Sequence, residues 1–201
     1  SVFFDQKENT WIATNKGINK LAKTKNLFMP FSGNQDSGKK VRGKEIKHIE
    51  TDKNNEIWLS HENGLDHINN SGDVLANYVS DPTNENSLLT RETGVFEILA
   101  NNDIWVASEH GGLTILNPEE KSFSRHEHDP EKEKSIIGGK IESIYEDATG
   151  TVWLSSLRGV CRYKDKEFKS FLYNQELRNN HLSGVTAILE DSQGQFWLGT
   201  G

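Results

Sequence analysis

Along this chain, short apolar phrases alternate with turn-forming clusters of Asn, Asp, Gly and Ser, at intervals that suit strands rather than helices. One phrase returns five times, always around a tryptophan: NTWIATNKGI, EIWLSHENGL, DIWVASEHGGL, GTVWLSSLRGV and QFWLGTG. The tryptophans are Trp11, Trp58, Trp105, Trp153 and Trp197, spaced by 47, 47, 48 and 44 residues. A period of this length belongs to propellers and solenoids. Each unit divides into four strand-sized pieces. The first is apolar and ends in acid or a turn, as in IKHIETD, IESIYED and VTAILED. The second holds the tryptophan. A turn containing Gly17, Gly64, Gly112 or Gly159 leads to the third, and a weaker, partly polar fourth closes the unit.

The third strands decide between architectures. Leu65 and Ile68, like Leu113 and Leu116, are three apart and so point to opposite faces of a strand. Both faces are apolar, as in a sheet packed between two others; a sandwich strand with one wet face alternates more cleanly. The pattern predicts an all-β chain: a β-propeller fragment of four four-stranded blades plus a half blade. The blades fall at about 1–32, 41–80, 93–128 and 140–174, with the half blade at 185–201. One large flat side chain per blade suits stacking of blade on blade, so the tryptophans are read as core.

Charge changes the picture only by exclusion. The 23 basic and 30 acidic residues leave a formal charge of −7, unlike the basic excess of an indiscriminate nucleic-acid binder. The one cysteine, Cys161, lies in the apolar phrase GVCRY and reads as a buried packing residue. No apolar run approaches the roughly 20 residues that span a bilayer. The chain opens on SVFFD without a methionine, which reads as an excised piece of a longer protein.

Candidate binding residues follow from propeller geometry. Turns between second and third strands share one face with the inter-blade connections. Variation at fixed scaffold positions there is where specificity is usually placed. On this reading the ligand-binding candidates are Lys39, Lys40 and Arg42 from GKKVRGK, with His61, Glu62, Glu109, His110 and Arg158 from the turns. Arg91, Lys140 and Arg178 add positive charge in the connections, a setting for an anionic sugar. The opposite face carries Asp-x-x-Gly turns, where Asp147 and Asp191 read as turn formers rather than calcium ligands. His126-x-His128 would place two imidazoles on one strand face without an evident third ligand, so no metal and no cofactor is assigned. No nucleophile elbow, Walker loop or zinc helix motif is present, and no catalytic residue is assigned. The pairs Glu146/Asp147 and Glu190/Asp191 point to opposite faces, a poor geometry for a two-carboxylate hydrolase.

The units IYEDATGTVWLSSLRGVCRY and ILEDSQGQFWLGTG resemble the two-component regulator propeller repeat. Ser80 through Leu88, SDPTNENSL, is similar to that family's inter-blade motif D-P-x-N-x-x-S-L; the segment from His128 to Ile136 is similar more loosely. The resemblance implies a periplasmic sensor region of a membrane-anchored hybrid two-component histidine kinase of Bacteroidetes. It implies recognition of a carbohydrate, an oligosaccharide or its breakdown product, with signalling across the membrane and without catalysis. Two alternatives stand beside it: a propeller-fold glycan hydrolase or lyase, and a protein-interaction platform. The half blade and the outward face of the first blade, bearing Trp11 or Ile12, leave apolar faces without a neighbour. The fragment is therefore expected to self-associate.

Overall fold

The computed structural model describes residues 2–5, 9–14, 17–21, 28–31, 40–172 and 184–200. Every regular element among them is a strand. The strands are β1 (Val2–Phe4), β2 (Thr10–Thr14), β3 (Gly17–Leu21), β4 (Phe28–Phe31), β5 (Ile46–Thr51), β6 (Ile57–His61), β7 (Gly64–Ile68), β8 (Val74–Tyr78) and β9 (Thr93–Ile98). They continue as β10 (Ile104–Ser108), β11 (Leu113–Asn117), β12 (Ser122–His126), β13 (Ile141–Glu146), β14 (Val152–Ser156), β15 (Gly159–Lys164), β16 (Glu167–Leu172), β17 (Val185–Glu190) and β18 (Phe196–Thr200). They form four antiparallel four-stranded sheets, each in simple sequence order, and a two-stranded sheet of β17 and β18. The fold is a β-propeller fragment of four blades and a half blade, as the repeat predicts. No helix among the described residues is long and apolar enough to cross a membrane.

The chain divides into two compact units, residues 1–94 and 95–201. In the first, Trp11, Ala13 and Ile18 pack with Ile49, Ile57, Leu59 and Ile68 in one core. Trp11 is thus buried against the second blade's strands, and Ile12, its neighbour in β2, faces the other way. Of the two residues the sequence offers for the outward face, only Ile12 is there. In the second unit, Trp105, Leu113, Ile137, Ile141, Leu154 and Cys161 share a core. Burial pushes the Cys161 thiol upward, as expected for a packing residue.

The tryptophans occupy equivalent places on second strands, paired across to Lys20, His67, Ile115 and Arg162 of the third strands in the four blades. Trp11, Trp58 and Trp105 are buried, and Trp153 is half-buried. Trp197 is 61% exposed and, with Leu189 across from it, leaves an apolar face of the half blade open.

Local chemistry explains why the phrase repeats. Asp147 Oδ1 accepts the N–H groups of Thr149 and Thr151, closing the turn, while Oδ2 accepts Trp153 Nε1–H at 2.8 Å. Asp5, Asp52 and Asp191 hold Trp11, Trp58 and Trp197 in the same way, each across six residues. The left-handed position in these turns is filled by Gly150 and Gly194, and by Asn55 in the second blade. The glutamate before the aspartate has a separate task. Glu146 accepts the Ala100 N–H and Glu190 the Ala148 N–H, each reaching the turn of the blade before. Burial and then the hydrogen bond to Glu190 push the Tyr145 hydroxyl upward.

The inter-blade motif is equally physical. The Asp81 N–H donates to Ser87 Oγ at 2.8 Å, and Leu88 behind it is buried. The looser segment repeats this: the Asp129 N–H donates to Ser135 Oγ at 2.7 Å, followed by buried Ile136. Serine thus rounds off the loop, and the next residue plugs it into the core.

Candidate ligand-binding site

In the first unit, four separate segments converge on one cavity of about 480 Å³. Arg42 comes from the connection before β5, Asn63 from the β6–β7 turn, Val79 and Ser80 from the end of the second blade, and Arg91 from the connection before β9. The arrangement is held from beneath. Asp66 on β7 is wholly buried; its Oδ2 accepts the Arg42 N–H at 2.7 Å and its Oδ1 accepts Asn77 Nδ2 at 2.6 Å. His61 lies against it with Nε2 3.2 Å from Asp66 Oδ2, and its Nδ1 accepts the Asn63 N–H. Gly43 is required here, because a Cβ at that place would stand 2.1 Å from the His61 ring. The β6–β7 turn itself needs Gly64, whose φ is +128° and whose added Cβ would strike the Tyr78 carbonyl at 2.1 Å.

Asn63 joins the two arginines. Its Oδ1 accepts Arg91 Nη2 at 2.7 Å, and its Nδ2 donates to the Arg42 carbonyl at 3.2 Å. Both arginine side chains are exposed. Two guanidinium groups beside one hollow make a set of donors suited to a carboxylate, sulfate or phosphate group. The Asn63 Nδ2 hydrogens are taken up by the Arg42 carbonyl and Glu62 Oε1, and the Ser80 hydroxyl by the Leu89 carbonyl.

The residues singled out by sequence fall into different environments. Arg42 lines the cavity, and Lys40 is exposed beside it in the same connection. Lys39 lies outside the described residues. His61 differs from the ligand-facing turn residue that its sequence position suggests: it is wholly buried and acts as a floor. Glu62 is engaged with the backbone, its carboxylate accepting the N–H groups of Lys44 and Glu45. Desolvation pushes Glu62 up, but those N–H donors outweigh it and hold the carboxyl below its ordinary value. In the second unit, Glu109 pairs with Lys140 at 3.0 Å, while His110 and Arg158 are exposed. Asn63 and Ser80 escaped the sequence reading. Both are common loop residues, and no local spacing signals that they face a shared hollow.

The histidine pair is not brought to a common point. His126 Nε2 lies 3.0 Å from Ser124 Oγ, and His128 Nδ1 lies 2.7 Å from the Ile136 carbonyl. Among the described residues, a different group converges: Asp52, Glu56 and His67 on the opposite end of the second blade.

Residues 182–201 match the family model described as two component regulator propeller. The chain carries a two component regulator propeller repeat. The Asp-to-Trp clasp of that segment recurs in the first, second and fourth blades. No curated protein matches in sequence. Among solved structures, an extracellular domain assigned to a hybrid two component system of B. thetaiotaomicron is similar over 100% of this chain and 26% of its own. Its identity is 18% and its TM-score 0.74. A second such domain from that organism matches 99% of this chain and 32% of its own, at 17% identity and TM-score 0.63. Virginiamycin B lyase from Staphylococcus aureus is also similar, at 14% identity and TM-score 0.68, over 99% of this chain and 62% of its own. This chain thus spans about a quarter to a third of the two extracellular domains.

Proposed function

We propose that this chain is part of the extracytoplasmic ligand-sensing region of a hybrid two component sensor histidine kinase. In this reading it sits in the periplasm, belongs to a membrane-anchored parent, and binds without covalent chemistry. The ligand is a carbohydrate or breakdown product bearing an acidic group, such as a uronic-acid oligosaccharide. The observation that carries the reading is the convergence of Arg42, Arg91, Asn63 and Ser80 on one cavity. The propeller-repeat match and the sensor-domain likeness support the cellular role.

Charged hydrogen bonds from two arginines favour an anion over a neutral sugar, and the Asn63 bridge fixes one of them before the ligand arrives. The test is calorimetric titration with acidic and neutral oligosaccharides. Arg91→Ala and Arg42→Ala should each weaken binding of an acidic oligosaccharide at least about tenfold, which is about 1.4 kcal/mol. The melting temperature should not change, because both side chains are exposed. Equal binding by the wild type and both variants would refute the assignment of this cavity.

A further inference from the structure

We infer that Asp52, Glu56 and His67 form a binding site for a borderline divalent cation, zinc being the best match, at the turn end of the second blade. The blades serve as internal controls for one another. Opposite the tryptophan, the third strand carries Lys20, His67, Ile115 or Arg162. Two residues before the tryptophan stand Asn9, Glu56, Asp103 or Thr151. The second blade alone combines an imidazole at the first place with a carboxylate at the second. Both departures from the repeat fall on the same spot, beside the Asp52 that the repeat already supplies.

The geometry suits a metal. His67 Nε2 lies 2.9 Å from Glu56 Oε2 and 3.7 Å from Asp52 Oδ2, and one ligand atom from each residue lies within 4.8 Å of the others. Zinc takes nitrogen and oxygen ligands at about 2.0–2.2 Å in a tetrahedron, so neighbouring donors stand about 3.3–3.6 Å apart. The two His67 separations bracket that value. A lysine at this place, as in the first blade, offers charge but no lone pair while protonated; histidine offers a ligand nitrogen.

A second observation points the same way. His67 Nε2 is shielded from solvent and is directed at the carboxylates, 2.9 Å from Glu56 Oε2. The ring is also held by stacking on Trp58, with centroids 3.9 Å apart and planes 12° apart. The Asp52 carboxylate is fixed as well, accepting the N–H groups of Asn54 and Glu56 and the Trp58 indole. Such outer hydrogen bonds orient first ligands in metal sites.

The experiment titrates the 201-residue chain with zinc by calorimetry and with cobalt by visible absorption, which reports tetrahedral ligation. One ion per chain should bind, with the cobalt spectrum of a site containing nitrogen and oxygen ligands. Glu56→Gln and His67→Gln should each weaken zinc binding at least about tenfold. His126→Gln, on another blade, should leave it unchanged. Circular dichroism verifies folding, and Glu56→Gln, which preserves shape at a half-buried position, keeps the test sound if His67→Gln unfolds. Absence of zinc and cobalt binding at about millimolar metal, binding unchanged by both variants, or loss on His126→Gln alone would overturn the inference.

Discussion

In the fourth blade, Trp153 donates its indole N–H to Asp147, the same carboxylate that closes the β13–β14 turn. In the third blade the equivalent place is Leu99, a member of the buried core that also holds Trp105. The residue across from the tryptophan changes with it: Arg162 in the fourth blade, Ile115 in the third. An acid and a cation have been exchanged together for two apolar side chains. The third blade's turn is closed differently, with Asn101 Oδ1 accepting the Asp103 N–H. The comparison separates two roles. Burial of the tryptophan defines the blade, and the aspartate clasp is one of two ways to hold it.

The sharpest way to break this comparison is to remove the tryptophan from the apolar blade. Trp105→Ala should destabilise the fold by about 3–5 kcal/mol in chemical denaturation, the range for deleting a large buried aromatic. A loss below about 1 kcal/mol would show that the tryptophan does not define the blade. Trp197→Ala should cost no more than about 0.5 kcal/mol, since that ring is 61% exposed. Its effect should appear instead as weaker self-association in sedimentation, if the open face of the half blade pairs two chains.

Next in size is the clasp. Asp147→Ala leaves two turn N–H groups and an indole N–H without their acceptor and should cost about 1–3 kcal/mol. Leu99→Asp should be more harmful alone than combined with Ile115→Arg. A double-mutant cycle showing coupling below about 0.5 kcal/mol would mean that the two positions do not act as a pair.

The smallest effects are read from pH. Desolvation raises the Asp147 carboxyl, but hydrogen bonds from Thr149, Trp153 and Thr151 outweigh it and hold the group below 3.8. Its contribution is present above that value and fades as pH falls through the folded pKa. Glu97 behaves in the opposite sense: burial first, and Glu146 second, push it from 4.5 up to about 7. The folded state therefore binds its proton more tightly than the unfolded chain. Stability from this group is full below pH 4.5 and declines as pH rises towards about 7. Glu97→Gln should flatten the melting temperature across that interval, whereas Asp147→Ala should alter only the acid limb. An unchanged slope in Glu97→Gln would remove Glu97 as the cause.

The sequence by itself determined the architecture. A period of 47 residues, a tryptophan in each second strand and apolar pairs three apart on the third strands are local signals, and strand periodicity converts them directly into faces. The Asp-to-Trp clasp was also within reach, because its partners are six residues apart in one hairpin. Only the tertiary structure decided which polar residues meet. Arg42, Asn63, Ser80 and Arg91 come from four connections that the packing of the second blade draws to one hollow. His67 and Glu56 meet because antiparallel pairing sets β7 beside β6 in a register that stacks His67 on Trp58. It also turned His61 inward, where Asp66 and Gly43 enclose it. Strand spacing states which way a side chain points; what it then encounters depends on long-range pairing and loop closure, which no single stretch of sequence encodes.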